Sequence, residues 1–169
     1  HAISTLFQEI DFHNTLTLQE SSRFEFTTEH PDLATDSSNL CVAAFNKMQE
    51  YSQSAKLCTI HLKKNLPIGA GLGGGSSNAA AVIKFLNDFW KLDLATQELM
   101  QIGKSLGADV PFFIKGSSQI GEGIGDILKP VKIKPDFKIL CVLPEFNIST
   151  KWAYKNFSLT NKKDKFNFD

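Results

Sequence analysis

The run Pro67-Ile68-Gly69-Ala70-Gly71-Leu72-Gly73-Gly74-Gly75-Ser76-Ser77-Asn78 puts five glycines into the seven positions from Gly69 to Gly75. Glycine adopts positive φ without a Cβ penalty and lets the backbone approach a ligand closely. An ordinary turn needs one or two such residues. Each further glycine costs about 1 kcal/mol of ordering entropy unless a contact offsets it. Just before the run, Leu57 to Leu62 reads as a strand; after it, Ala79, Val82, Ile83, Leu86, Phe89 and Trp90 recur at helical spacing. Ser76 or Ser77 is the expected cap of that helix. A strand that passes through a glycine-rich link into a helix turns unpaired amides, with the positive end of the helix dipole behind them, toward the link. An anion fits there, and the two hydroxyls add contacts to phosphate oxygens or to a bound Mg²⁺. The plainer alternative is a flexible glycine turn.

Two familiar phosphate loops fit poorly. A Walker A loop ends in Gly-Lys-Ser/Thr, whereas this run ends Gly75-Ser76-Ser77 without a lysine. The spacing Gly69-x-Gly71-x-x-Gly74 does match the dinucleotide fingerprint. That fold requires a second parallel strand after the helix, closed by an acidic residue. Here a second helix follows, from Thr96 as its cap through Leu99, Ile102 and Leu106 to Gly107, and Asp88 lies inside the first helix.

Elsewhere the pattern mixes strands with helices. Leu6 to Phe12 and Leu16 to Leu18 suggest a hairpin turning at His13-Asn14, and Arg23 to Thr27 alternates like a half-buried strand. Glu29 to Ser38 reads as a loop with candidate caps at Asp36 to Ser38, ahead of a helix marked by Leu40, Ala43, Ala44 and Met48. Val110 to Ile114, Ser118 to Ile120 and Phe137 to Leu143 read as strands, and Thr150 to Phe157 as a helix. Strands mixed with consecutive helices give an α+β class.

The chain has 169 residues, enough for one domain with a hydrophobic core, and 18 basic against 18 acidic residues. That neutrality argues against a dedicated nucleic-acid or membrane-surface binder. No apolar run approaches the roughly 20 residues of a membrane span. Cys41, Cys58 and Cys141 sit far apart in apolar runs, which suggests buried, reduced thiols in a cytosol-like compartment. His13, His30 and His61 show no metal-ligand spacing.

The glycine run resembles the second motif of the GHMP kinases, and further stretches narrow the resemblance. Ser4-Thr5-Leu6-Phe7-Gln8, Asn39-Leu40, Leu106-Gly107-Ala108-Asp109-Val110-Pro111-Phe112-Phe113, Gly121-Glu122-Gly123-Ile124-Gly125 and Ile148-Ser149-Thr150-Lys151-Trp152-Ala153-Tyr154 are similar to segments of the branch acting on 4-diphosphocytidyl-2-C-methyl-D-erythritol. The likeness runs from His1 to about Tyr154. It implies the GHMP N-terminal domain (ribosomal protein S5 domain 2-like) over 1–150, with 151–169 beginning a largely absent ferredoxin-like domain. The implied activity is ATP- and Mg²⁺-dependent phosphorylation of that substrate's 2-hydroxyl, for isoprenoid precursors. The expected partner is this small molecule, with neither nucleic acid nor membrane, in a monomer or weak homodimer of the bacterial cytosol or plastid stroma. A homoserine- or mevalonate-like GHMP kinase, or a non-catalytic nucleotide-binding relic, are the alternatives.

By the same resemblance, Asp109 is the base that accepts the proton of the attacking hydroxyl, although a turn aspartate is the plainer reading. Pro67, Ile68, Gly69, Ala70, Gly71, Leu72, Gly73, Gly74, Gly75, Ser76, Ser77 and Asn39 bind ATP. His1 and Tyr154 meet the cytosine, Tyr154 by stacking, and Thr150 offers a hydroxyl near the substrate. Lys63 and Lys64 could flank the nucleotide, or simply be a solvated strand end. The family also carries an Ala-Lys-Leu-Asn-Leu strand, whose lysine pairs with the catalytic aspartate, and a third glycine motif; neither is found in this chain. The 169 residues alone are therefore expected to turn over poorly, with an exposed sheet edge and an uncovered apolar face.

Overall fold

The computed structural model describes residues 3–52, 56–133, 138–143 and 149–157. In chain order the elements are β1 (Ile3–Gln8), β2 (Thr15–Ser21), β3 (Glu25–Thr28), α1 (Leu40–Gln49), β4 (Leu57–Lys63) and α2 (Gly74–Phe89), followed by α3 (Thr96–Leu106), α4 (Val110–Lys115), β5 (Ser118–Gly123), β6 (Ile127–Pro130) and α5 (Thr150–Asn156). They fall into two compact units, His1–Lys138 and Ile139–Asp169. No helix among the described residues is long and apolar enough to cross a membrane.

In the first unit β4 is the central strand. Its side chains alternate, with Cys58, Ile60 and Leu62 buried and the residues between them partly exposed. Antiparallel β2 sets Leu18 opposite Ile60 and Leu16 opposite Leu62, while parallel β3 sets Phe26 opposite Ile60. These side chains share one face of the sheet. Onto it pack Cys41, Ala44, Phe45 and Met48 of α1 and Ala79, Val82, Ile83 and Leu86 of α2 in one apolar cluster. Truncating a side chain as enclosed as Ile60 to alanine costs about 3 kcal/mol. Phe24 stacks on Phe45 at 3.7 Å between ring centres, and the indole N–H of Trp90 donates to the Lys56 carbonyl at 2.9 Å. The second sheet has the order β1-β5-β6 and is antiparallel throughout. Lys104 Nζ ties α3 to its β5–β6 turn by a 2.6 Å ion pair with Asp126.

Several local expectations are corrected. The first two strands form no hairpin, because β1 pairs with β5 and β2 with β4 in different sheets. Asn14 does not close a turn between them; its Oδ1 accepts the backbone N–H of Asn65 and of Leu66. Residues 110–114 are helical, not a strand. The whole run Val110, Pro111, Phe112 and Ile114 is buried, so alternation gives no contrast between periods. Pro111 suits a helix's first turn and would remove a donor from a central strand. Strand β6 had no sequence signal, being only Ile127-Leu128-Lys129-Pro130 and mostly exposed.

The segment 138–143 is not a strand, and Phe137 lies outside the described residues. Leu140 and Val142 are 87% and 79% exposed, and a strand without a pairing neighbour leaves its backbone groups to water. Helix α1 is capped by Asn39, whose Oδ1 accepts Cys41 N–H at 2.9 Å, while Asp36 binds Ser38 in the preceding turn. Thr96 is the first helical residue of α3 and Ala95 its cap; Glu98 reaches back to the Ala95 N–H at 2.9 Å.

Cys41 and Cys58 are buried as expected, but Cys141 is exposed, since its segment covers no core. Burial pushes the Cys41 thiol up to about 12 and Cys58 up to about 11. The thiolate is the reactive form, so both are shielded sterically and chemically. A thiol reagent at pH 8 should label Cys141 alone in the native protein and all three cysteines after unfolding. Native labelling of Cys41 or Cys58 at the rate of Cys141 would contradict this packing.

Candidate active site

The glycine run leaves β4 and enters α2, but neither serine caps the helix. Gly73 is the N-cap, held at φ 64° in the left-handed region, with no side-chain cap. The first intrahelical bond runs from Ser77 N–H to the Gly73 carbonyl at 2.8 Å. The amides of Gly74, Gly75 and Ser76 therefore have no intrahelical acceptor. Ser76 sits within the first turn, and Ser77 turns its hydroxyl back to the Gly74 carbonyl at 3.0 Å. Geometry explains the correction: a residue that must reverse the chain with positive φ into the helix is a glycine's position.

The chain closes around a cleft of about 370 Å³ in front of these amides. Its floor is the loop from Pro67 to Gly75 together with Ser76, and Leu33, Ala34, Ser38, Asn39, Leu40, Leu62, Lys64 and Asn78 complete the lining. Of the nucleotide-site residues expected from the sequence, all but Ser77 line it. Asn39 does so while already engaged, accepting from Cys41 and donating Nδ2 to the Ala34 carbonyl at 2.8 Å. The cleft thus offers an apolar side (Leu33, Leu40, Ile68) and a polar end built of backbone N–H groups. A flat aromatic group attached to an anionic chain matches both.

Lys64 belongs to this wall, whereas Lys63 is exposed at the strand end. Lys64 Nζ donates to the Leu66 carbonyl at 2.6 Å and lies 3.5 Å from where a methyl on Gly74 would stand. Desolvation pulls its pKa below the ordinary lysine value. An anion brought into the cleft favours the ammonium and so opposes that shift. The adjacent lysine pair carried no signal that separated one from the other. Strand parity does: Leu62 points into the core, Lys63 away from it, and Lys64 toward the cleft side again.

Asp109 is the residue just before α4, at φ −86° and ψ −14°, exposed and without a capping bond. It does not line the cleft, yet its corner adjoins the glycine-rich loop. A methyl on Gly107 would stand 3.9 Å from Ser76 Oγ, and one on Gly73 only 2.7 Å from the Phe113 ring. The same short helix therefore carries Asp109 at its start and presses Phe113 onto the left-handed glycine. His1 lies outside the described residues. Thr150 opens α5 in the second unit with its side chain outside the description, and Tyr154 on that helix is 40% exposed.

Gly71 and Gly73 separate strain from packing. Alanine at Gly71, with φ 72° and open space around it, should cost about 1–2 kcal/mol from backbone strain alone. Alanine at Gly73 adds the clash with Phe113 and should cost about 1–3 kcal/mol more. Guanidinium unfolding of both variants measures the difference. Equal losses would mean that Phe113 does not confine Gly73.

Comparison with known proteins fits this geometry. The family model for the GHMP kinases N terminal domain matches residues 39–117, from the α1 cap through α4. A 4-diphosphocytidyl-2-C-methyl-D-erythritol kinase of Thermodesulfovibrio yellowstonii is 45% identical over 159 residues, covering 94% of this chain and 55% of its own length. One of Chloroherpeton thalassium is 43% identical over 158 residues, covering 93% of this chain and 55% of its own. The chain thus spans about half the length of the curated relatives it matches. A crystal structure of 4-(cytidine 5'-diphospho)-2C-methyl-D-erythritol kinase superposes with a TM-score of 0.69 at 31% identity, over 83% of this chain and 53% of that one. A homoserine kinase from Cytophaga hutchinsonii shares the fold, with a TM-score of 0.63 at 19% identity over 84% of this chain and 50% of its own. With the glycine-capped helix α2 and the Asp109 corner both falling inside residues 39–117, that region matches the GHMP kinase N-terminal domain, and the chain has the fold of that domain.

Proposed function

We propose that this chain is the nucleotide-binding part of a kinase that transfers the γ-phosphoryl group of ATP to the 2-hydroxyl of 4-diphosphocytidyl-2-C-methyl-D-erythritol. The reaction would supply isoprenoid precursors in a cytosol-like compartment. The observation that carries the substrate is 45% identity to a relative of that name across 94% of the chain. The unpaired amides at the cleft's polar end support the nucleotide half of the reading.

In this reading the base of ATP lies against Leu33, Leu40 and Ile68, beside Asn39. The phosphates lie on the amides of Gly74, Gly75 and Ser76, with Lys64 adding positive charge. Fixed N–H donors need no reorganisation as charge builds on the phosphoryl oxygens, which is where such a site lowers the barrier. Asp109 accepts the proton of the 2-hydroxyl while its oxygen bonds to the γ-phosphorus. The bond from that phosphorus to the bridging oxygen breaks, and ADP leaves. Positioning dominates this chemistry, so a base and a phosphate loop set by one packed helix suit it.

Mg²⁺ neutralises phosphate charge when bound. Among the described residues no group of three or more His, Cys, Asp or Glu side chains is gathered to hold it. In this reading the phosphates themselves and water would hold most of its coordination, with the Ser76 hydroxyl as a donor within the loop. His1, Thr150 and Tyr154 are assigned to the cytidine side of the substrate. Residues 151–169 are assigned to the start of a following domain.

The test is ADP release by the full-length protein with ATP, Mg²⁺ and the cytidine substrate, with homoserine, mevalonate and galactose as controls. Turnover should require the cytidine substrate. In Asp109→Asn it should fall at least about 100-fold while ATP affinity stays within about threefold. ATP binding without turnover on any acceptor would replace the kinase reading with a nucleotide binder. Turnover on homoserine or mevalonate would move the substrate.

A further inference from the structure

We infer that Asn14 is the positioning residue of the phosphate loop, one side chain that closes the loop at both ends and so sets nucleotide affinity before any nucleotide arrives. The inference rests on the cleft being the nucleotide site.

Asn14 immediately precedes β2, and the β2–β4 register pairs Thr15 with Lys63, which brings Asn14 alongside the exit of β4. Its Oδ1 accepts the N–H of Asn65 at 3.0 Å and of Leu66 at 2.8 Å, where the chain leaves the strand. Its Nδ2 donates to Asn78 Oδ1 at 3.1 Å, on α2 just past the loop. Asn78 is 6% exposed, so this bond is partly buried at the base of the loop. The Asn65 side chain adds a bond to the His13 carbonyl at 3.0 Å. The Asn14 amide nitrogen is also 3.5 Å from where a methyl on Gly74 would stand, beside the first of the open amides.

The loop between these anchors is rich in glycine and has no core of its own, so its competent shape competes with many others. If that shape is populated only in part, apparent affinity falls by the same fraction. Three hydrogen bonds from one side chain at the base narrow the alternatives without touching the ligand. Once nucleotide fills the cleft, its own contacts hold the loop. Removing Asn14 should therefore weaken binding and leave the filled site nearly as active.

The test compares Asn14→Leu and Asn14→Asp with wild type in the full-length protein, by amide hydrogen exchange without nucleotide, by ATP titration and by steady-state kinetics. Asn14→Leu should speed exchange across 65–76 while β2 and β4 stay protected, raise the ATP dissociation constant and KM about tenfold, and leave kcat within about threefold. Asn14→Asp keeps both acceptor bonds, and the Asn78 amide can turn to donate the third, so it should preserve loop protection. Loop exchange unchanged in Asn14→Leu overturns the proposal, as does equal loss of protection in the two variants. A fall in affinity that only tracks global unfolding overturns it too. If wild type binds no ATP, the nucleotide reading fails, and the exchange data still decide whether Asn14 holds the loop.

Discussion

The constraint on which the rest depends is the left-handed turn at Gly73. A helix normally begins with a side chain that satisfies one of its first amides. Here the chain enters α2 through a positive-φ glycine with no cap, so three N–H groups stay open toward the cleft. Phe113 occupies the space that any side chain at Gly73 would need. Strain and packing thus act together: backbone conformation demands glycine, and the ring of α4 prevents anything larger.

That turn holds its place because what lies on either side of it is rigid. Strand β4 is the centre of its sheet, with Ile60 and Leu62 enclosed between β2 and β3, and α2 lies in the same apolar cluster. The two ends of the loop are thus fixed in one core, whereas the glycines between them have none of their own. The phosphate loop also bears on the α3–α4 corner, through Gly107 near Ser76 and Phe113 against Gly73. In the proposed reading, donor phosphate and base are therefore aligned by packing rather than by a direct bond between Asp109 and the loop.

Electrostatically the site works with few full charges. The chain is neutral overall, and the first turn of α2 holds no acidic residue to compete with an anionic ligand. The attraction comes from aligned peptide dipoles and from one partly desolvated lysine, Lys64, already tied to the Leu66 carbonyl. In the proposed reading such a cleft binds phosphate through geometry more than through net charge. A neutral composition is compatible with it for that reason.

The glycine run, the strand before it and the helix after it were legible in the sequence because each is a local property. Glycine density reports backbone conformation, and the spacing of Ala79, Val82, Ile83 and Leu86 reports a single buried face. The N-terminal strands were legible as strands but not as partners, since pairing β1 with β5 and β2 with β4 joins residues far apart in the chain. The α4 helix was misread because a segment buried on all sides shows no amphipathic period, although Pro111 hinted at its type. Lys64 was one of two candidate lysines that strand parity separates once the cleft side is known, and Asn14 could be placed only by tertiary structure. What a lysine at a strand end or an asparagine before a strand does depends on which surface the sheet turns toward it. Sequence alone thus determined that a glycine-rich loop joins a strand to a helix and where it begins. The three-dimensional packing decided which glycine caps the helix and which side chains surround the amides it leaves open, because those contacts come from elements that sequence order does not bring together.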